Sequence, residues 1–174
     1  MKKKDILISL VIIAVSAGVL YFYVRRTGYI QVDAGKAGVT LQLQSSLFGN
    51  TTIRSGPEPT EVHARVHRPE NLRLSLDQNG HHCLILSIGP WGNLGQINVK
   101  NKQTAILRLG PPLIIKPKVR KNGPMVTIEF DVVGQAGEQY EKFVRRDNRT
   151  IAGARLKIVD EAGNVLESGE FRYG

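Results

Sequence analysis

Leu72-Arg73-Leu74-Ser75-Leu76-Asp77-Gln78-Asn79-Gly80-His81-His82-Cys83-Leu84-Ile85-Leu86-Ser87-Ile88 decides the fold class. Leu72, Leu74 and Leu76 alternate with Arg73, Ser75 and Asp77, the period of two that marks a strand with one buried face. Asp77-Gln78-Asn79-Gly80 carries a hairpin signal, because Asn and Gly tolerate the positive φ of a tight turn. The return segment, 82–88, is apolar on both sides, with Cys83 and Ile85 facing one way and Leu84, Leu86 and Ile88 the other. A strand apolar on both faces belongs in the middle of a sheet.

The same alternation extends outward from this hairpin. On the N-terminal side, Val39, Leu41 and Leu43 alternate with Thr40, Gln42 and Gln44, and Val62, Ala64 and Val66 with His63, Arg65 and His67. On the C-terminal side, Ile97 and Val99, then Ala105, Leu107 and Leu109, continue the pattern. Turn signals recur about every 8–12 residues, the spacing of an antiparallel sandwich. About ten strands are expected, and no helix after residue 27. With 18 Gly and 8 Pro against 5 Phe, 5 Tyr and 1 Trp, composition favours many turns and short strands.

Gly110-Pro111-Pro112 is the candidate boundary, since it fits neither a helix nor a central strand. Beyond it, a loop at Asn122-Gly123 predicts a hairpin pairing Val119 with Val126, Pro117 with Ile128, Ile115 with Phe130 and Leu113 with Val132. Lys118 would face Thr127, and Lys116 would face Glu129. Pro124 donates no ladder bond, so a four-residue loop is expected. Residues 134–153 are polar and read as a long loop with a short helical turn near 140–144. The expected organisation is 1–27, 28–110 and 111–174, the last two able to pack as one unit.

Residues 6–24 form an uncharged apolar run between Lys2-Lys3-Lys4-Asp5 and Arg25-Arg26. As a helix, 19 residues cover about 28 Å, close to the hydrocarbon thickness of a bilayer. Tyr21 and Tyr23 fall near the arginine end, where aromatic rings favour the interface. The expectation is an uncleaved signal-anchor in the cell (inner) membrane, with residues 27–174 on the extracytoplasmic side. The competing reading is a signal peptide cleaved near Val15-Ser16-Ala17. Net charge is +9, of which Lys2, Lys3, Lys4, Arg25 and Arg26 against Asp5 supply +4. The remaining +5 suits a surface near anionic headgroups. No recognition-helix or aromatic-interleaved basic pattern points to nucleic acid. Cys83 is the sole cysteine, so an internal disulfide is ruled out.

Tyr29-Ile30-Gln31-Val32, the Gly-bounded turn after it, and Ile97-Asn98-Val99 leading to Thr104-Ala105-Ile106-Leu107-Arg108-Leu109-Gly110 resemble PEGA-type and transthyretin-like modules of envelope proteins. Residues 111–174, ending in Leu156-Lys157-Ile158-Val159-Asp160-Glu161-Ala162-Gly163-Asn164-Val165-Leu166, resemble part of an immunoglobulin-like domain, without its Cys-Trp-Cys signature. The resemblance implies an all-β exported region, an immunoglobulin-like or transthyretin-like antiparallel β-sandwich behind one transmembrane helix. It also implies a structural or ligand-presenting role with a protein or glycan partner, and it transfers no catalytic residue.

Candidate contacts are few. Trp91 and Asn93, in the loop 89–95, could meet a sugar ring or a partner side chain; the alternative is a tight turn whose indole caps the core. Lys116, Lys118 and Arg120 on one strand face, with Arg145, Arg146 and Arg149 in the long loop, could form a basic patch; the alternative is a solvated surface compensated by Glu129, Asp131 and Glu141. All four histidines and Cys83 fall within 63–83, which raises a periplasmic metal-handling role as a rival. Against it, His63 and His67 would lie about 13 Å apart on an extended strand, and His82 and Cys83 would face opposite ways. No metal site, cofactor or catalytic residue is therefore assigned, and the chain is read as a non-enzyme. A hydrolase using Ser45, Ser46 or Ser55 with His63 is the remaining rival.

Overall fold

The computed structural model describes residues 12–16, 18, 26–46, 49–142, 144–151 and 154–171, with the side chains of Ser45 and Ser46 excepted. The fold is all-β. In chain order the strands are β1 (Thr27–Asp33), β2 (Gly38–Ser46), β3 (Gly49–Arg54), β4 (Thr60–His63), β5 (Val66–His67), β6 (Pro69–Gln78), β7 (His81–Ser87), β8 (Ile97–Asn98) and β9 (Thr104–Arg108). Then come β10 (Ile114–Asn122), β11 (Met125–Val133), β12 (Gln139–Tyr140), β13 (Arg145–Arg146), β14 (Arg149–Thr150), β15 (Arg155–Val159) and β16 (Val165–Glu170). One 3-10 turn, Gly92–Gly95, interrupts them.

The predicted central hairpin is present. β6 and β7 pair antiparallel, with Leu74 opposite Ile85 and Leu76 opposite Cys83. Asn79 and Gly80, both at positive φ, close it as a two-residue turn of type I′. β7 lies inside a six-stranded sheet of order β14-β13-β7-β6-β2-β3. A second sheet, β4-β1-β9, supplies Ile30, Val32 and Val62 to the same core as Leu41, Leu43, Ile53, Leu72 and Leu74. The arrangement is sandwich-like, with one departure from the antiparallel expectation: β1 and β9 run parallel, Ile30 opposite Ala105.

Three other expectations change. First, the β10–β11 register is displaced by two residues: Val119 faces Ile128, Pro117 faces Phe130 and Lys118 faces Glu129. Gly123, at φ +58°, and Pro124 form a two-residue turn between the paired Asn122 and Met125. Positive φ at the first turn position and the proline φ at the second are what a type II′ turn requires, and the second position need not donate a ladder bond. A displacement of two keeps every side chain on its face, so the apolar pattern could not tell the two registers apart. β10 is the edge of the sheet β10-β11-β12, which is where Pro117 is tolerated.

Second, residues 134–153 are not one long loop. They hold β12, β13 and β14, and Arg145 and Arg146 pair with Leu84 and Cys83 on the edge of β7. Asp147 and Asn148, both at positive φ, turn β13 into β14. Third, Val62, Ala64 and Val66 do not share one apolar face. β4 pairs with β1 but β5 pairs with β8, so the chain bends at residues 64–65 as it leaves the first sheet. The bend turns Val66 outward and His67 inward.

Most of the expected anchor, residues 6–24, lies outside the described residues. Residues 12–16 and 18 are helical, with Ile12, Ile13 and Val15 exposed. Among the described residues no helix is long and apolar enough to cross a membrane.

Candidate functional site

The most tightly built polar site is one the sequence did not suggest. Glu138 is fully buried at 0 % exposure. Its Oε1 accepts the Gly110 N–H at 2.8 Å and the Tyr140 hydroxyl at 2.9 Å, and its Oε2 accepts the Ala136 N–H at 2.9 Å. Burial, then the neighbouring carboxylate, pushes the Tyr140 phenol far above its ordinary range, so it remains a donor. Around this centre, Gln135 N–H donates to the Gly110 carbonyl, Asn93 N–H to Ala136, Gln139 N–H to Pro90 and Glu141 N–H to Leu86. Glu138 therefore clasps the end of the β9 connection to the β11–β12 turn, and the backbone bonds of Asn93 and Gln139 join the 89–95 loop to that turn. Sealed from solvent, it works as a structural acceptor and offers nothing to a substrate.

The loop carrying Trp91 and Asn93 rests on this clasp. Trp91 is half-buried against the main core, and Leu94, inside the 3-10 turn, is buried. Asn93 spends its backbone N–H on Ala136, and its side chain is exposed. The indole is thus committed to packing on one side, which leaves only its outer edge and Asn93 for contact.

The structure does not gather the histidines and Cys83. His81 Nδ1 lies 2.7 Å from Asp147, and His82 Nδ1 lies 2.7 Å from Asp77. Cys83 is half-buried beside Leu76, Ile85, Pro111, Leu113 and Val144 in a small apolar cavity. Among the described residues no group of three His, Cys, Asp or Glu side chains could hold a metal. The hydrolase rival fares similarly. Ser55 Oγ accepts the Val39 N–H and donates to the Ala37 carbonyl. It sits near Val32, at the opposite end of β1 from His63. Ser45 and Ser46 have side chains outside the described residues.

His67 was expected on a solvated face but is 5 % exposed, with Nε2 2.8 Å from the His63 carbonyl. Burial is the main cause that lowers its pKa below 6.5. The unfolded chain therefore binds a proton near pH 6.5 that the folded chain resists. Stability from this group is complete above pH 6.5 and declines as pH falls toward the lower, folded value. Denaturant midpoints taken between pH 7.5 and 5 should fall, and His67→Phe should flatten that dependence; equal slopes would refute it.

The six candidate basic residues lie in two sheets. Lys116, Lys118 and Arg120 are on edge strand β10, where Lys118 pairs with Asp131 at 2.5 Å and Arg120 approaches Glu129 at 3.9 Å. Arg145, Arg146 and Arg149 are exposed on β13 and β14. Arg146 and Arg149, with His81 and Asp147, line an open depression of about 700 Å³. Sequence reading missed the Asp147–His81 contact because 66 positions separate the partners. The Asp147-Asn148 pair was a readable turn signal all the same.

An apolar surface is exposed on the β10–β11 hairpin. Ile115, Val119 and Val126 share one face of β10–β11 and are more than half exposed. Beside them Val126, Ile128, Leu156, Ile158 and Phe171 line a cleft of about 270 Å³, and Phe171 packs edge-on against Phe130. These observations define an all-β protein with apolar surface exposed on β10–β11. No family model, curated protein or solved structure matches the chain.

Proposed function

We propose that the protein is a membrane-anchored, extracytoplasmic β-sandwich, immunoglobulin-like or transthyretin-like, that acts as a structural or interaction module of the cell envelope. The observation that carries this reading is the junction at residues 24–27. The apolar run ends at Val24, and β1 begins at Thr27, so only Arg25 and Arg26 intervene. A folded body joined so closely to a bilayer-length apolar segment is held at the membrane surface. The exposed row Ile115, Val119 and Val126, with the adjoining cleft, favours a protein partner, since contiguous exposed apolar patches mark interaction sites. Asn93 and the outer edge of Trp91 are the alternative contact for a glycan.

Two measurements test the anchor and its side. After alkaline carbonate washing, the full chain should remain with the membrane pellet. Protease added outside spheroplasts should degrade residues 27–174. A soluble mature chain beginning near Gly18, or complete protection from outside protease, would overturn the reading. Crosslinking the anchored chain in intact cells should capture its partner, and Ile115→Asp with Val119→Asp should abolish that product.

A further inference from the structure

The end of the body where the chain enters has a distinctive composition. Residues 63–66 flank the first residues of β1 on one side and 99–103 on the other. Thr27 pairs with His63, and Ala64 N–H donates to the Arg26 carbonyl at 2.9 Å. Lys102 N–H donates to the Thr27 carbonyl at 2.7 Å, and Tyr29 N–H to Gln103 at 2.8 Å. The turn lies so close that a Cβ on Gly28 would stand 2.3 Å from the Lys100 carbonyl oxygen. Val99 N–H then reaches the Arg65 carbonyl at 3.0 Å, joining the two flanks.

This packing fixes the backbone but leaves Arg65, Lys100 and Lys102 exposed, with Val66, next to Arg65, 52 % exposed. Among the described residues none of these three cations takes part in an ion pair. On β4, which leads into this flank, Glu61 lies opposite Tyr29. The result is a rigid cationic collar around the point of entry, with one apolar side chain set in it.

We infer that this collar is a docking surface for anionic phospholipid headgroups, which holds the β-body upright on the bilayer. The inference rests on the anchor proposed above, which delivers the collar to the membrane across Arg25 and Arg26. Charge complementarity selects the lipid: cations within a Debye length of an anionic leaflet are attracted, and salt screens that attraction. Val66 is placed to enter the interfacial layer beside them.

The test uses the full chain in vesicles, with a fluorophore at Asn101→Cys or, as control, at Lys36→Cys in the turn at the far end of β1. Cys83→Ala or Cys83→Val removes the native thiol, whichever keeps the wild-type circular dichroism. Nitroxide on the lipid headgroups reports proximity. At about 0.1 M salt, quenching at residue 101 should be at least about threefold stronger in vesicles containing phosphatidylglycerol than in phosphatidylcholine alone. High salt, or Arg65→Glu with Lys100→Glu and Lys102→Glu, should remove the difference, and residue 36 should show none. Retention on phosphatidylcholine after carbonate washing with equal quenching in both lipids would overturn the collar and leave the anchor standing. Quenching only with the anionic lipid, with loss from both vesicles on carbonate washing, would overturn the anchor and support the collar. Loss from both vesicles with no quenching in either would overturn both.

Discussion

Glu138→Ala destabilises the protein by about 3–5 kcal/mol, because three enclosed donors lose their acceptor and each buried group left unsatisfied costs about 1–3 kcal/mol. The substitution leaves the Gly110 N–H, the Ala136 N–H and the Tyr140 hydroxyl without their acceptor in a place sealed from water. Glu138→Gln should cost less, because its amide oxygen can still serve Gly110 and Tyr140 while its NH2 meets the Ala136 N–H donor to donor. Tyr140→Phe removes one donor and should cost about 1 kcal/mol. Urea denaturation of the three variants checks the order; equal midpoints would show that the clasp carries no weight. Hydrogen exchange adds a spatial readout. In Glu138→Ala the N–H groups of Asn93, Gln139 and Glu141 should exchange faster, because each bonds across the same joint. Release of the 139–151 segment would also bare the edge of β7, so aggregation should rise in parallel.

Gly92→Ala has the second largest expected effect, about 2–5 kcal/mol. Gly92 adopts φ +53°, which costs an L residue about 1–2 kcal/mol. A Cβ there would stand 2.5 Å from the Ala136 oxygen and 2.6 Å from the Gly137 carbonyl carbon, both backbone atoms that cannot swing away. Relieving that overlap adds about 1–3 kcal/mol. Gly95→Ala, where nothing lies within 4 Å of the added carbon, is the matched control and should be far milder. Thermal unfolding of the two variants separates them. The clasp and the loop are one joint, so Gly92→Ala with Glu138→Ala should cost less than the sum of the single variants. If they add, the 89–95 loop and the 134–138 turn are independent.

Local pattern was enough for much of the architecture. The period-two alternation of Leu72, Leu74 and Leu76, with Asn79-Gly80 behind it, specified the central hairpin. The two apolar faces of 82–88 placed it inside a sheet. β10–β11 shows the limit of such signals: faces were legible, register was not. Patterns of period two are blind to a displacement of two residues, and turn geometry at Gly123-Pro124 made the choice. His67 shows another limit. Continuous alternation through 62–67 is a correct reading only while the chain stays in one sheet, and here it changes sheets at Ala64-Arg65.

By itself, then, the sequence determined that the body is β-structured, where its central hairpin turns, and that a bilayer-length apolar run precedes it, because those properties reside in neighbouring residues. Only the tertiary structure decided that β13 and β14 return to complete the six-stranded sheet, that β1 and β9 run parallel, and that Glu138 is an internal clasp. A glutamate in a polar stretch looks solvated until distant segments close over it. Its partner at Gly110 lies 28 positions away, and Asp147 is 66 from His81. Contacts over such separations leave no periodic trace in one chain; they follow from burial and hydrogen-bond satisfaction once the sheets have packed.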